Sequence, residues 1–83
     1  MKNIKVIVNM SYVYYRGKCF TRSIKIQLPQ SSRIEDLIIN LKGHYPDLEF
    51  NHLSTLVNNH LVYKNVKLYE GDRILLLPIL SGG

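Results

Sequence analysis

Five consecutive residues, Arg73 to Leu77, constrain this chain more than any other stretch, because Ile74-Leu75-Leu76-Leu77 is apolar without alternation. Side chains on a strand point alternately to opposite faces, so such a run asks for burial on both sides, which a strand finds inside a sheet and not at its edge. Pro78 ends the run by removing the N–H that a ladder needs. Ile79, Leu80 and Ser81 follow, and then Gly82-Gly83. Two successive glycines lack Cβ atoms, which makes such an ending loose when free and slim enough to thread a narrow channel. The same ending is also what an ordinary frayed terminus looks like. As a presented substrate, a terminal α-carboxylate has a reference pKa of about 3.5, is ionised at neutral pH, and needs another enzyme to activate it.

Upstream, Ile4, Val6, Val8 and Met10 alternate with Lys5, Ile7 and Asn9, a period of two that predicts a strand. Arg16-Gly17-Lys18 can turn the chain. Phe20, Ile24, Ile26 and Leu28 then alternate with Ser23, Lys25 and Gln27 up to Pro29, which completes an antiparallel hairpin. Ser32-Arg33-Ile34-Glu35 has the spacing of a capping box, with Ser32 as cap. Ile34, Leu37, Ile38 and Leu41 follow at i, i+3, i+4 and i+7, one apolar stripe of a helix, bracketed by Gly43 and Pro46. Residues 47–53 read as a loop with room for a short helical turn. Thr55-Leu56-Val57, the turn formers Asn58-Asn59, and Leu61-Val62-Tyr63 make a second, smaller hairpin, and Glu70-Gly71-Asp72 turns the chain into the last strand.

With 83 residues there is room for one domain, residues 1–83, with a flexible tail over residues 79–83. A core of this size buries only about 60–70% of the unfolded chain's surface, which argues against a free-standing enzyme with an enclosed active site. The hydrophobic fraction of 46% and the charged fraction of 20% suit a packed domain and not a disordered one. No apolar segment approaches membrane length and no signal-peptide block follows Met1-Lys2, so the expected location is the cytoplasm. Cys19 is the only cysteine, and His44, His52 and His60 stand apart without a ligand pattern, so no disulfide and no metal site is expected. The formal charge is +5, but the eleven basic residues are scattered, which favours a solvated surface over a nucleic-acid site.

Strand, strand, helix, short strand, short strand, strand is an α+β order. With the last strand central beside the first, it becomes a β-grasp: a mixed sheet of about five strands with one main helix packed on one face. If Ile74 and Leu76 point to that helix, Leu75 and Leu77 point away from it, with Ile7 beside them by the same parity. One helix cannot cover both faces, so an apolar patch there would be a partner site; capping by loops or tyrosines is the alternative. Tyr12, Tyr14 and Tyr15 near the first hairpin, and Tyr63 and Tyr69 near the second, are candidates for either role.

The pattern Val57-Asn58, Val62, Leu68, Gly71-Asp72, an apolar last strand, Pro78 and a closing Ser81-Gly82-Gly83 resembles the ThiS/MoaD sulfur-carrier family of ubiquitin-like β-grasp proteins. The element order matches over the whole chain, while the specific motif occupies the C-terminal third. Within the family the ending is more similar to the MoaD branch, the small subunits of molybdopterin synthase, than to the thiamine-pathway carriers. The resemblance implies that a ubiquitin-activation-like adenylyltransferase uses ATP to adenylate the Gly83 carboxylate, and that a persulfide enzyme's sulfur displaces AMP to leave a thiocarboxylate. It further implies insertion of that group into the synthase's large subunit, where it supplies the dithiolene sulfur of the molybdenum or tungsten cofactor. Gly83 would then carry the sulfur and Gly82 would give clearance. Ile79, Leu80 and Ser81 would line the channel mouth, and Ile7, Leu75, Leu77 and Pro78 would dock partners. The chain is then a cosubstrate that binds no cofactor of its own.

The chain departs from the family at three points: Ile79 stands where a second proline is usual, the charge is positive where acidic chains are common, and the Tyr12 to Cys19 connection is long. A ubiquitin-like modifier forming isopeptide bonds through Gly83, a carrier for another pathway such as thiamine synthesis, and a plain binding module with an inert tail are the competing readings.

Overall fold

The computed structural model describes residues 2–62 and 64–79. Its first strand, β1 (Asn3–Tyr15), runs five residues past the expected alternation and pairs with β2 (Lys18–Pro29) from Asn3 opposite Pro29 to Tyr15 opposite Lys18. The Tyr12 to Cys19 connection is therefore itself a hairpin. Its turn has positive φ at both Arg16 (51°) and Gly17 (79°), the backbone that matches the twist of a two-residue hairpin.

Alternation fails where it does because of a bulge. Ser11 and Tyr12 together oppose Thr21, with Tyr12 at φ 53° and its N–H donating to Thr21 Oγ1 at 3.1 Å. Before the bulge the even-numbered Ile4, Val6, Val8 and Met10 are buried; after it the odd-numbered Val13 is. One inserted residue moves the inward face from even to odd numbers.

The helix, α1 (Ile34–His44), begins one residue later than the Ser32 capping box predicts. Ser32 is already engaged: its hydroxyl donates to the Pro29 carbonyl at 2.6 Å and its own carbonyl accepts the Leu68 N–H at 2.8 Å. Arg33 becomes the cap residue, and Asp36 instead of Glu35 accepts the cap N–H, at 2.8 Å. First-turn donors also find partners far along the chain, Ile34 N–H on the Val66 carbonyl and Glu35 N–H on Asn65 Oδ1. Leu37 and Leu41 are fully buried, Ile34 and Ile38 partly so, and the helix stops before Tyr45 and Pro46 as expected.

A single 3₁₀ turn (Phe50–His52) leads into β3 (Leu53–Val57), which starts two residues earlier than the sequence suggests. Asn58 and Asn59, both at positive φ, turn it into the two-residue β4 (His60–Leu61). Tyr63 lies outside the described residues. Gly71 at φ 81° turns the chain into β5 (Arg73–Pro78), with Asp72 Oδ2 accepting the Tyr69 N–H at 2.8 Å.

The sheet order is β2-β1-β5-β3-β4, with β5 parallel to β1 and antiparallel to β3. The last strand is central, as its unbroken apolar run demands. The core lies between the sheet and α1, where Val6, Val8, Ile74 and Leu76 meet Leu37 and Leu41.

Candidate functional site

The side of the sheet away from α1 is the first place to look, because nothing in the described chain lies over it. Leu75 and Leu77 fall on this side and are half-buried, whereas Ile74 and Leu76 on the helix side are 0% exposed. Ile7, opposite Arg73 in the parallel register, shares the open side and is also half-buried. The three residues placed there by parity are thus brought onto one face.

Two more apolar residues join them that sequence reasoning missed. Leu56 stands opposite Leu75 across the β3–β5 ladder, and Leu61 opposite Leu56 across the β3–β4 ladder, so the apolar strip crosses three strands. Leu61 is 47% exposed. The signal for them was present in the hairpin parity around Asn58-Asn59, but it becomes usable only once the register with β5 is known. Lys5, Lys25 and Arg73 border the strip on the same face. Of the tyrosines considered as caps, Tyr12, Tyr14 and Tyr69 are 71%, 69% and 60% exposed, and Tyr63 lies outside the described residues.

The second part of the site is the point where the chain leaves β5. Pro78 is the last strand residue and pairs with Leu53, and Ile79, the first residue of the expected tail, donates its N–H to the His52 carbonyl at 3.0 Å. That bond fixes the direction of exit. Leu80, Ser81, Gly82 and Gly83 lie outside the described residues. Beside the exit is a cleft of about 430 Å³ lined by Tyr14, Arg16, His52, Leu53 and Pro78, so the tip of the first hairpin and the root of the tail share one surface. Arg16 Nη2 reaches Asp47 Oδ2 at 2.9 Å across this cleft, and His52 Nδ1 lies 3.0 Å from Glu49 Oε2. Both pairs are solvent-exposed and contribute little to stability, but Arg16–Asp47 holds the hairpin tip to the 47–53 segment.

Among the described residues this arrangement gives a half-buried apolar strip and a fixed exit, and no enclosed pocket with convergent acid, base and nucleophile. Among the described residues no group of three or more His, Cys, Asp or Glu gathers as a metal site would require. No helix among them is long and apolar enough to cross a membrane. Cys19 is exposed, on the strand opposite Tyr14.

A mixed five-stranded sheet with parallel first and last strands at its centre and one helix across a single face defines a ubiquitin-like β-grasp protein. The sequence pattern of the ThiS family matches residues 6–83, and the chain belongs to that family of ubiquitin-like sulfur carriers. The crystal structure of SAMP1 from Haloferax volcanii superposes with a TM-score of 0.68 at 19% identity, over 95% of this chain and 99% of that one, a likeness of fold. No curated protein sequence matches the chain.

Proposed function

We propose that this sulfur carrier works through the Gly83 carboxylate and serves molybdopterin synthesis as the small, sulfur-donating subunit of the synthase. The observation that carries the reading is the family match running through residue 83, joined to a central strand that delivers the chain past Pro78 to a fixed exit at Ile79. In this reading an adenylyltransferase of the ubiquitin-activating type couples the Gly83 carboxylate to AMP, with pyrophosphate leaving from ATP. The terminal sulfur of an enzyme persulfide attacks the acyl carbon and expels AMP, and a thiol then cleaves the sulfur–sulfur bond to release the thiocarboxylate. ATP is bound by the partner, not by this chain.

Each residue then has a physical task. Gly83 carries the sulfur, and Gly82, without a Cβ, clears the partner's channel. Ile79, Leu80 and Ser81 line the channel mouth. Ile7, Leu75, Leu77 and Pro78, extended by Leu56 and Leu61, form the face on which the activating enzyme and the large subunit dock in turn. Half-buried leucines rimmed by polar side chains suit a contact that must form and release. Pro78, three positions ahead of Ser81-Gly82-Gly83, is what favours the molybdopterin branch over thiamine synthesis.

The test is ATP–pyrophosphate exchange by the adenylyltransferase, followed by incubation with a persulfide donor and a thiol, and then with the large subunit and a pterin precursor. Exchange that requires Gly83, followed by dithiolene formation, supports the proposal in full. Exchange followed by sulfur delivery to a thiazole instead moves the chain to the thiamine pathway, and conjugates on target lysines make it a modifier.

A further inference from the structure

The first hairpin continues beyond the sheet. β5 pairs with β1 only from Ile7 to Met10, and past the bulge Val13–Tyr15 pair with Lys18–Phe20 alone, leaving a two-stranded arm. Parity fixes what its helix side carries. Lys18, Phe20 and Arg22 share the side of β2 on which Ile24, Ile26 and Leu28 lie further along, and beyond the bulge Val13 and Tyr15 of β1 come to that same side. Val13 is fully buried, Tyr15 and Phe20 are half-buried, and Tyr45, the residue that caps the end of α1, closes in from the helix.

The result is an open cup of about 460 Å³ lined by Tyr15, Arg16, Lys18, Phe20, Arg22 and Tyr45. Its floor is aromatic. The Phe20 and Tyr45 rings lie 5.9 Å apart between centroids and 22° from parallel, and Tyr15 meets them edge-on at 6.3 and 5.4 Å. Its rim is cationic: the Arg16 guanidinium stands 5.2 Å from the centre of the Tyr15 ring and the Arg22 guanidinium 5.7 Å from that of Phe20. Arg22 also donates to the Tyr45 hydroxyl at 3.0 Å, which orients it without neutralising it. Arg16 spends its charge on Asp47, but among the described residues neither Lys18 nor Arg22 has a carboxylate within ion-pair distance, and no acidic side chain lines the cup. These three basic residues look scattered in the sequence, and the hairpin gathers them at one end of the molecule.

An aromatic floor under two uncompensated cations suits a ligand that is both flat and anionic. An inorganic anion gains nothing from the rings, and a neutral apolar molecule gains nothing from the charges. A nucleotide uses both, because every base has a π face and lysine and arginine bind phosphate. We propose that this cup is a nucleotide-binding site, with the base against Tyr15 and Phe20 and the phosphate between Lys18 and Arg22. The site uses neither the open sheet face nor Gly83, so it goes beyond the sulfur-carrier reading and does not depend on it.

The experiment titrates the isotope-labelled full chain, followed by NMR, with AMP, with adenosine and ribose 5-phosphate as its two halves, and with a single-stranded hexa-adenylate RNA. The expected result is a saturable shift of the Tyr15, Lys18, Phe20 and Arg22 resonances with AMP, at least about ten-fold tighter than with either half and weakening as salt rises. Lys18→Glu, at an exposed side chain, raises the Kd for AMP about ten-fold and leaves the thermal midpoint in place. Lys2→Glu makes the same change of net charge at the opposite end of the hairpin and keeps the Kd within about two-fold. The RNA names the source of the nucleotide: binding tighter than AMP for each nucleotide present points to a single strand, and equal binding points to a free nucleotide, the site standing in both cases. No saturable shift with AMP or the RNA, shifts that fall outside the cup, or an equal response to the two variants overturns the proposal and leaves the reading of Gly83 untouched.

Discussion

On the helix side of β5, Ile74 and Leu76 are fully buried; one residue away on the other side, Leu75 and Leu77 keep part of their surface in water. The four residues are nearly identical in hydropathy, and only the strand's alternation separates them. The difference teaches that the unbroken apolar run serves two ends. One face is closed by α1 and holds the domain together. The other stays open, and under the proposed function it is left for a partner while the same strand leads the chain on towards Gly83.

Substitutions can break this contrast. Leu76→Ala should cost about 2–5 kcal/mol, because it opens a cavity in a close-packed core, and thermal or urea unfolding will read it as a large share of the domain's stability. Leu75→Ala removes the same atoms from the open face and should change stability by less than about 1 kcal/mol, while weakening binding to the adenylyltransferase in a titration. If the two variants unfold alike, the open face is core and not interface.

Smaller effects test how the helix-covered side is assembled. Asn65→Ala deletes the distant acceptor for the Glu35 N–H in the first turn of α1 and should cost about 1 kcal/mol in the same unfolding experiment, with activation by the partner unaffected. Gly17→Ala forces a Cβ into a positive-φ turn whose space is otherwise open, with only Tyr14 Oη near, at 3.9 Å. It should cost roughly 0.5–1 kcal/mol of stability.

Most of the helix-covered half was legible in the sequence. The uninterrupted Ile74–Leu77 run required a central strand, the Ile34/Leu37/Leu41 spacing required a helix on one face, and Gly17, Asn58-Asn59 and Gly71 marked turns that the backbone bears out with positive φ. What escaped depended on contacts distant in sequence. Ser32 looked like a helix cap because its engagement by Pro29 and Leu68 belongs to tertiary structure, and Asn65 gave no sign that it would serve a helix thirty residues upstream. The arm was hidden by the bulge at Ser11 and Tyr12, which interrupts alternation in residues that otherwise favour strands. On the open face Ile7, Leu75 and Leu77 followed from parity within single strands, whereas Leu56 and Leu61 needed the register between strands. The role of Gly82 and Gly83 was read from the sequence and the family alone, since the structure describes the chain only as far as Ile79.

The most direct test is the intact mass of the protein after incubation with its activating enzyme, ATP and a persulfide donor, beside a variant lacking Gly83. The account predicts that the full chain gains the mass difference of one oxygen replaced by sulfur and that the shortened chain gains nothing. An unchanged mass for the full chain, with the activating enzyme shown to be competent on another carrier, would contradict it.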